Sequence, residues 1–177
     1  MYPTTLLLSL AITGACLSAQ PPVAPTPDLQ LAELKKAAFL EGTWKGTGWI
    51  LLQQGKREDF TQTERVVFKL GGLVLQIDGE GRKATGELIH QAFATMAFDS
   101  DGKTCHFRPY NLQGRFIDAA CQVPAAGLMQ WTLDLPRGQT RYTISLTPNG
   151  QWYEVGEFSL DGKEWRKTFE MTLTRDK

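Results

Sequence analysis

The residues of this chain that could bind a ligand or do chemistry are concentrated in two neighbouring predicted strands. Counting pairs across the turn between these strands places His90 on the same sheet face as His106, Arg108 and Tyr110. Continuing the count places Asp118 on that face as well. If the face points into the protein, Arg108 fixes an anionic or carboxylate group, and His106 and Tyr110 supply hydrogen bonds. If it points outward, these are ordinary surface side chains.

The apolar side chains on this face favour the inward orientation. An outward face would expose Met96, Tyr110 and Phe116 together to solvent. The opposite face is apolar too and could equally form the packed interior. Alternation alone therefore leaves both orientations open, and we adopt the inward one as the prediction.

Acidic side chains in other predicted strands are further candidates. Glu64, Glu154 and Glu170 all fall inside strand-like runs, where an inward carboxylate needs a cationic or hydrogen-bonded partner such as Arg108. Taken singly, each is expected on the solvated outer face. Glu64 is retained as a candidate ligand-binding residue.

Two cysteines of the predicted domain are expected to pair. A turn with three loop residues between Asn111 and Arg115 makes the numbers of paired partners sum to 226, which puts Cys105 opposite Cys121. The spacing predicts a cross-strand disulfide, which closes a loop of about 15 residues and contributes roughly 3 kcal/mol. The alternative is two reduced, packed thiols.

Several reaction classes lack their motifs. The histidines and the two domain cysteines show neither Cys-x-x-Cys nor His-x-x-x-His spacing, so no metal site is predicted. There is no Gly-x-Ser-x-Gly elbow and no glycine-rich phosphate loop. Lys+Arg and Asp+Glu balance at 19 each, which argues against a nucleic-acid partner.

The N-terminal sequence is typical of an exported protein. Residues 6–19 are nearly all apolar but too few to span a bilayer, and they are followed by a Pro-rich stretch. We predict a signal peptide at residues 1–19, a linker at residues 20–27 and one domain at residues 28–177, with no transmembrane span in the mature protein. The protein is then periplasmic or secreted. A lipid anchor on Cys16 is the alternative.

The elements that must position the candidate residues are a short helix and a series of strands. Asp28 is a helix N-cap candidate, and Gly42 ends the helical pattern. From there the hydrophobic period is two, and short glycine-containing turns separate the runs. Ten strands are predicted, at residues 43–53, 57–69, 72–81, 86–98, 103–111, 115–123, 127–135, 139–147, 151–160 and 164–175.

Such short connections make neighbouring strands antiparallel. Closing the sheet removes both exposed edges, so the predicted fold is all-β, a closed antiparallel up-and-down barrel with one short N-terminal helix. The interior of an eight-stranded barrel is nearly filled by side chains, and ten strands enclose more space. The fold therefore predicts a cavity for a small molecule.

Short motifs add a resemblance at the level of family. Gly42-Thr43-Trp44 after a short helix is the Gly-x-Trp pattern that opens lipocalins and other calycin barrels. The longer run at residues 40–48 resembles nitrobindin-type ten-stranded haem barrels and a related bacterial exported family of unknown function, and the resemblance spans about residues 39–175. It implies that Trp44 packs against Arg175 or Arg166. Nitrobindins bind haem through a histidine near the C-terminal end, and residues 164–177 here contain none.

Three functions are compatible with these features. The first is non-enzymatic binding of a small, partly apolar or anionic ligand in the barrel, with no cofactor predicted. The second is an enzyme, haem-dependent or other, that uses His90 or His106 as a base or iron ligand. The third is an envelope interaction protein whose barrel is filled with side chains and which acts through its outer surface.

Overall fold

The protein folds as a closed ten-stranded antiparallel barrel preceded by one short helix, as the sequence predicts. A computed structural model describes residues 27–52 and 55–176. The predicted signal peptide, most of the linker and Cys16 lie outside the described residues. The elements are α1 (Asp28–Lys35), β1 (Gly42–Leu51), β2 (Arg57–Lys69), β3 (Val74–Arg82), β4 (Leu88–Phe98), β5 (Cys105–Tyr110), β6 (Ala119–Ala125), β7 (Leu128–Leu135), β8 (Gly138–Leu146), β9 (Trp152–Ser159) and β10 (Arg166–Arg175).

Each strand pairs with its neighbours in sequence, and β1 pairs with β10 to close the ring. Side chains alternate between the inside and the outside. In β2, for example, every second residue from Phe60 to Val66 is buried and the residues between them are exposed. The core is therefore the barrel interior. β6 begins at Ala119 and not at residue 115 as predicted, because Phe116 makes only an isolated bridge with Tyr110.

The N-terminal helix closes one end of the barrel. Leu34, Ala37 and Leu40 are fully buried there, the last of them in a 3-10 turn that follows α1. Trp44 Nε1 donates a hydrogen bond of 2.8 Å to the carbonyl of Leu40. The guanidinium of Arg175 lies 4.2 Å from the Trp44 ring centre.

Arg175 also holds the chain that enters the barrel. Its Nη2 donates to the carbonyl of Phe39 over 3.0 Å, and its Nη1 donates to the carbonyl of Glu41. Two backbone carbonyls and one aromatic face thus share a single guanidinium. The last strand is thereby fastened to the segment before the first, and this end of the barrel is sealed.

The predicted disulfide between Cys105 and Cys121 is confirmed. The two residues are directly paired partners of β5 and β6, with their Cα atoms 5.3 Å apart. The ladder between these strands is the shortest in the barrel: it pairs Cys105, His106 and Phe107 with their partners on β6. The covalent bond therefore joins the strands that share the fewest backbone pairs.

The register between β4 and β5 differs from the predicted one by a single residue. Asp99 and Thr104 close the turn through a 2.9 Å backbone hydrogen bond, which leaves four loop residues where three were expected. Met96 is consequently paired with Phe107. A one-residue change moves every side chain of a strand to the opposite face. His90 therefore points inward, whereas His106 and its alternate neighbours on β5 point outward.

No helix in the described part of the chain is both long and apolar enough to cross a bilayer.

Candidate functional site

A cavity of about 550 Å³ occupies the barrel interior toward the end opposite the helix. The lining residues locate it there, because they include the C-terminal end of β5 and the loop that follows β5. Its wall is largely apolar and aromatic, and the polar groups it contains are few. The lining residues are Ile50, Glu64, His90, Gln91, Ala92, Pro109, Tyr110, Asn111, Arg115, Phe116, Ile117, Trp131, Leu133, Tyr142, Glu154, Phe169 and Met171.

Glu64 is a buried carboxyl group on the cavity wall, on the inner face of β2. Gln62 Nε2 donates a 2.7 Å hydrogen bond to its Oε1, and its Oε2 is buried without a hydrogen-bond partner. Gly79 on β3 makes room for it, because a Cβ at that position would lie 2.4 Å from Oε1. Burial, with a smaller contribution from the nearby carboxyl of Glu154, raises the pKa of Glu64 to about 8. Glu64 is therefore largely protonated at neutral pH.

Glu154, on the inner face of β9, is the second buried acid. Trp152 Nε1 donates to its Oε2 over 3.1 Å, and Trp152 itself packs edge-on against Trp44 with ring centres 5.8 Å apart. Since Trp44 is bonded to the helix end, Glu154 lies toward the sealed floor of the barrel. Burial raises the pKa of Glu154 to about 7. It also raises the pKa of Tyr142 to about 12, with Glu154 adding to the rise.

His90 is the histidine that faces the cavity. Its ring packs edge-on against Phe60 at 4.9 Å and against Phe169 at 6.3 Å between ring centres. A Cβ on Gly81 would lie 2.6 Å from its Nδ1 and 2.8 Å from Gln62 Oε1, so the glycine creates this space. Both polar atoms are buried without partners. Burial lowers the pKa of His90, which favours the neutral form of the ring.

The aromatic part of the wall consists of rings that pack on one another. Trp131 and Tyr142 stack with ring centres 4.1 Å apart and planes 4° from parallel. Tyr142 meets Phe169 edge-on at 5.8 Å, and Phe169 stacks on Phe60 at the same distance. Such surfaces accept apolar or aromatic groups, since every ring is already held by another. The cavity can therefore bind an apolar body at its wall and a polar group at its floor.

The predicted inward orientation of Arg108, His106 and Asp118 is wrong. These three side chains form a polar cluster on the outer surface, where Arg108 Nη2 lies 3.0 Å from Asp118 Oδ2. His106 Nε2 lies 3.0 Å from Asp99 Oδ1, and its Nδ1 lies 3.4 Å from Asp118 Oδ1. The hydrogen bond from Arg108 lowers the pKa of Asp118. The extra residue in the turn before β5 is the reason, as described above.

Tyr110 belongs to the rim of the cavity. It points away from the barrel axis but borders the open end, where its ring packs at 5.2 Å from Phe116 and 5.6 Å from Phe93. The exposed side chains of Phe116 and Arg115 line the same opening. The mouth thus carries aromatic rings and one cation.

Glu154 was expected on the outer face of the barrel, and Gln62 was not among the predicted site residues. The signal that could have found both is that each lies on the same strand face as a large apolar residue: Gln62 is two residues after Phe60, and Glu154 is two residues after Trp152. Glu170 does lie outside, where Lys167 and Tyr153 bind it. In the described residues, no three His, Cys, Asp or Glu side chains are grouped so as to hold a metal ion.

Comparison with known proteins supports the barrel architecture. No family model matches the chain, and no curated protein sequence matches it. Among solved structures, the crystal structure of Rv2717c from M. tuberculosis is similar, with a TM-score of 0.61 over 81% of this chain and 97% of that chain. The two sequences are 12% identical, so the similarity shows the fold alone. Membership of a lipocalin-like or nitrobindin-type family stays a prediction.

Proposed function

We propose that this protein binds a small, partly apolar molecule inside its barrel without transforming it. The observation that carries the proposal is the cavity of about 550 Å³, whose mostly apolar lining contains two buried carboxyl groups. Binding cavities in proteins commonly have this size and this combination of an apolar wall with few polar groups. The wall supplies the affinity, and the buried polar groups orient the ligand.

A cavity of this size argues against the alternative of a barrel filled by side chains that acts only through its surface. An interior built for stability alone is packed to crystal-like density and leaves few voids larger than a water molecule. Here Gly79 and Gly81 have no side chains, which leaves room for the polar side chains of Glu64 and His90 in the interior. Apolar side chains at these two positions would pack the interior more densely. Buried polar groups without partners lower the stability of the free protein. Binding of a ligand is a reason to retain them.

The cavity lacks the cation that the sequence predicted would bind an anionic ligand. Arg108 lies outside, and the carboxyl groups of Glu64 and Glu154 face the cavity. A carboxylate on the ligand would therefore meet two acids. We propose instead a ligand that is neutral or positively charged at its buried end.

Haem is not part of the proposal. His90 is packed edge-on by two phenylalanine rings, and its Nδ1 is buried beside Gly81. The floor offers acids, which would repel haem propionates, and Arg115 at the mouth is the one cation among the described lining residues. This donor set does not fit an iron porphyrin.

We propose that the protein acts outside the cytoplasm, as the apolar N-terminal sequence predicts. The disulfide between Cys105 and Cys121 supports an oxidising compartment. The test is the mass of the N-terminal peptide from protein made in its own host. Cleavage after Ala19 supports a soluble exported protein, a diacylated Cys16 supports an anchored one, and an intact N-terminus contradicts export.

The binding proposal is tested with N-phenyl-1-naphthylamine, a neutral apolar dye that fluoresces when it leaves water. We expect saturable binding by the wild type and at least a tenfold loss of affinity in Ala92→Phe, which fills the cavity from β4. The matched control is Ala120→Phe, the same change at an exposed position on β6. Equal dye binding by both variants, or no saturable binding by the wild type, contradicts the proposal.

A further inference from the structure

Two oxygen atoms on the inner face of β2 are buried without a hydrogen-bond partner. Beside the cavity, Gln62 donates to Glu64 and Trp152 donates to Glu154. Glu64 Oε2 and Gln62 Oε1 are buried and accept no hydrogen bond. Gln62 is 2% exposed and Glu64 is 7% exposed, so bulk water does not satisfy them. A ligand that brings N–H groups would recover the cost of these unpaired acceptors.

The charges around the cavity select the same kind of group. Glu64 and Glu154 both line it, and each raises the cost of a negative charge beside the other. Within the described residues, Arg115 is the one cation of the lining, and it lies exposed at the mouth. A cation at the inner end would meet two potential counter-ions, whereas an anion would meet none.

We propose that the ligand is a primary amine bound in its protonated form, with the ammonium group at Glu64 and Glu154 and an aromatic or aliphatic remainder along the wall. This inference rests on the proposed function and names its ligand class. An ammonium group has three donors and no acceptor, which matches the unpaired carboxylate oxygen and its neighbours. The parallel rings of Trp131 and Tyr142 offer a flat surface for the remainder.

Binding of such a cation is linked to loss of protons. The titratable groups around Glu64 are Asp78 on β3, His90 on β4, Tyr142 on β8 and Glu154 on β9. Burial raises the pKa of Tyr142 to about 12 and lowers that of His90, so both are neutral above pH 7. The two glutamates give up protons to solvent when the ammonium binds. Affinity for the amine should therefore rise with pH until the amine itself deprotonates near pH 10.

The experiment compares three probes of one shape: 2-phenylethylamine, 2-phenylethanol and 3-phenylpropionate. Their affinities are measured by isothermal titration calorimetry at pH 6.5, 7.5 and 8.5, in two buffers with different ionisation enthalpies. We expect the amine to bind at least tenfold more tightly than the alcohol at pH 8.5 and the carboxylate to bind most weakly. The amine should tighten several-fold from pH 6.5 to 8.5 and release protons, and the alcohol should do neither.

Variants assign the effect to the two acids. Glu64→Gln and Glu154→Gln should each weaken the amine at least tenfold and change the alcohol less than threefold. The control is Glu164→Gln, which removes the same charge at an exposed position and should change neither. Equal affinity for amine and alcohol, or an amine affinity unaffected by both variants, overturns the amine assignment. The naphthylamine dye reports separately on the proposed function, because it needs no charge: if the dye still binds, only the ligand class is wrong.

Discussion

The free energy of unfolding should fall as the pH rises from 5 to 9, and replacing Glu64 with glutamine should remove a large part of that fall. The carboxyl group is 7% exposed, and burial raises its pKa from 4.5 to about 8 in the folded protein. Between these two values the folded chain holds a proton that the unfolded chain has lost. Unfolding therefore releases a proton, and the free energy of unfolding falls as the pH rises through this window.

The magnitude follows from the pKa difference. Each tenfold change in an ionisation constant is about 1.4 kcal/mol, so the wild type should lose on the order of 4 kcal/mol between pH 5 and pH 9 through this one group. The loss begins above pH 4.5 and levels off beyond pH 8. Glutamine is neutral throughout and keeps an oxygen for the hydrogen bond from Gln62. Glu154, whose pKa burial raises to about 7, causes a loss of the same sign that the variant retains.

The assay is urea denaturation followed by tryptophan fluorescence at pH 5, 7 and 9, on the wild type, Glu64→Gln and the exposed control Glu164→Gln. We expect the stability advantage of Glu64→Gln over the wild type to grow by about 3 to 4 kcal/mol from pH 5 to pH 9. The control should stay within about 0.5 kcal/mol of the wild type. His90 acts in the opposite direction below pH 6.5 and cancels in the comparison. Parallel curves for Glu64→Gln and the wild type would refute the raised pKa.

Three further changes test the parts of the fold that hold the cavity. Reducing the disulfide with dithiothreitol, or changing both Cys105 and Cys121 to serine, should lower the free energy of unfolding by about 3 kcal/mol, and an unchanged urea midpoint would contradict this. Gly81→Ala should cost about 1 to 3 kcal/mol because its Cβ would lie 2.4 Å from the His90 ring; a cost below about 0.5 kcal/mol in the same assay would show that the ring yields freely. Arg175→Met keeps the apolar stem but removes the contact with Trp44 and two hydrogen bonds, and should lower the melting temperature by several degrees in differential scanning calorimetry, whereas Arg166→Met, at an exposed position, should not.

The barrel could be predicted because its signals are local. Turn residues and period-two alternation recur along the whole domain, and a three-residue loop fixed the pairing of Cys105 with Cys121. The β4–β5 turn shows the limit of that reasoning. Asp99-Ser-Asp-Gly-Lys-Thr104 is compatible with three or four loop residues, and the difference reverses the direction of Arg108.

The buried acids were harder to predict for a different reason. Exposed glutamates are common on strands, so Glu64 and Glu154 looked individually like outer residues. Their surroundings depend on the packing of Trp44 against Trp152, which is a contact between residues distant in sequence. A pair of acids that is costly to bury is recognisable only once the closed ring shows both carboxyl groups in one space.

A closed barrel has no edge strands. Separating any one pair of neighbouring strands turns both of them into edge strands. The junction of β5 with β6 has the fewest backbone pairs, and the covalent bond between Cys105 and Cys121 crosses it. With that bond intact, the open end of the barrel is the entrance that the cavity offers to a ligand. If the disulfide is reduced, the three residue pairs between β5 and β6 are all that joins these strands along their ladder. The side of the cavity next to Ile117 and Trp131 is then its weakest part.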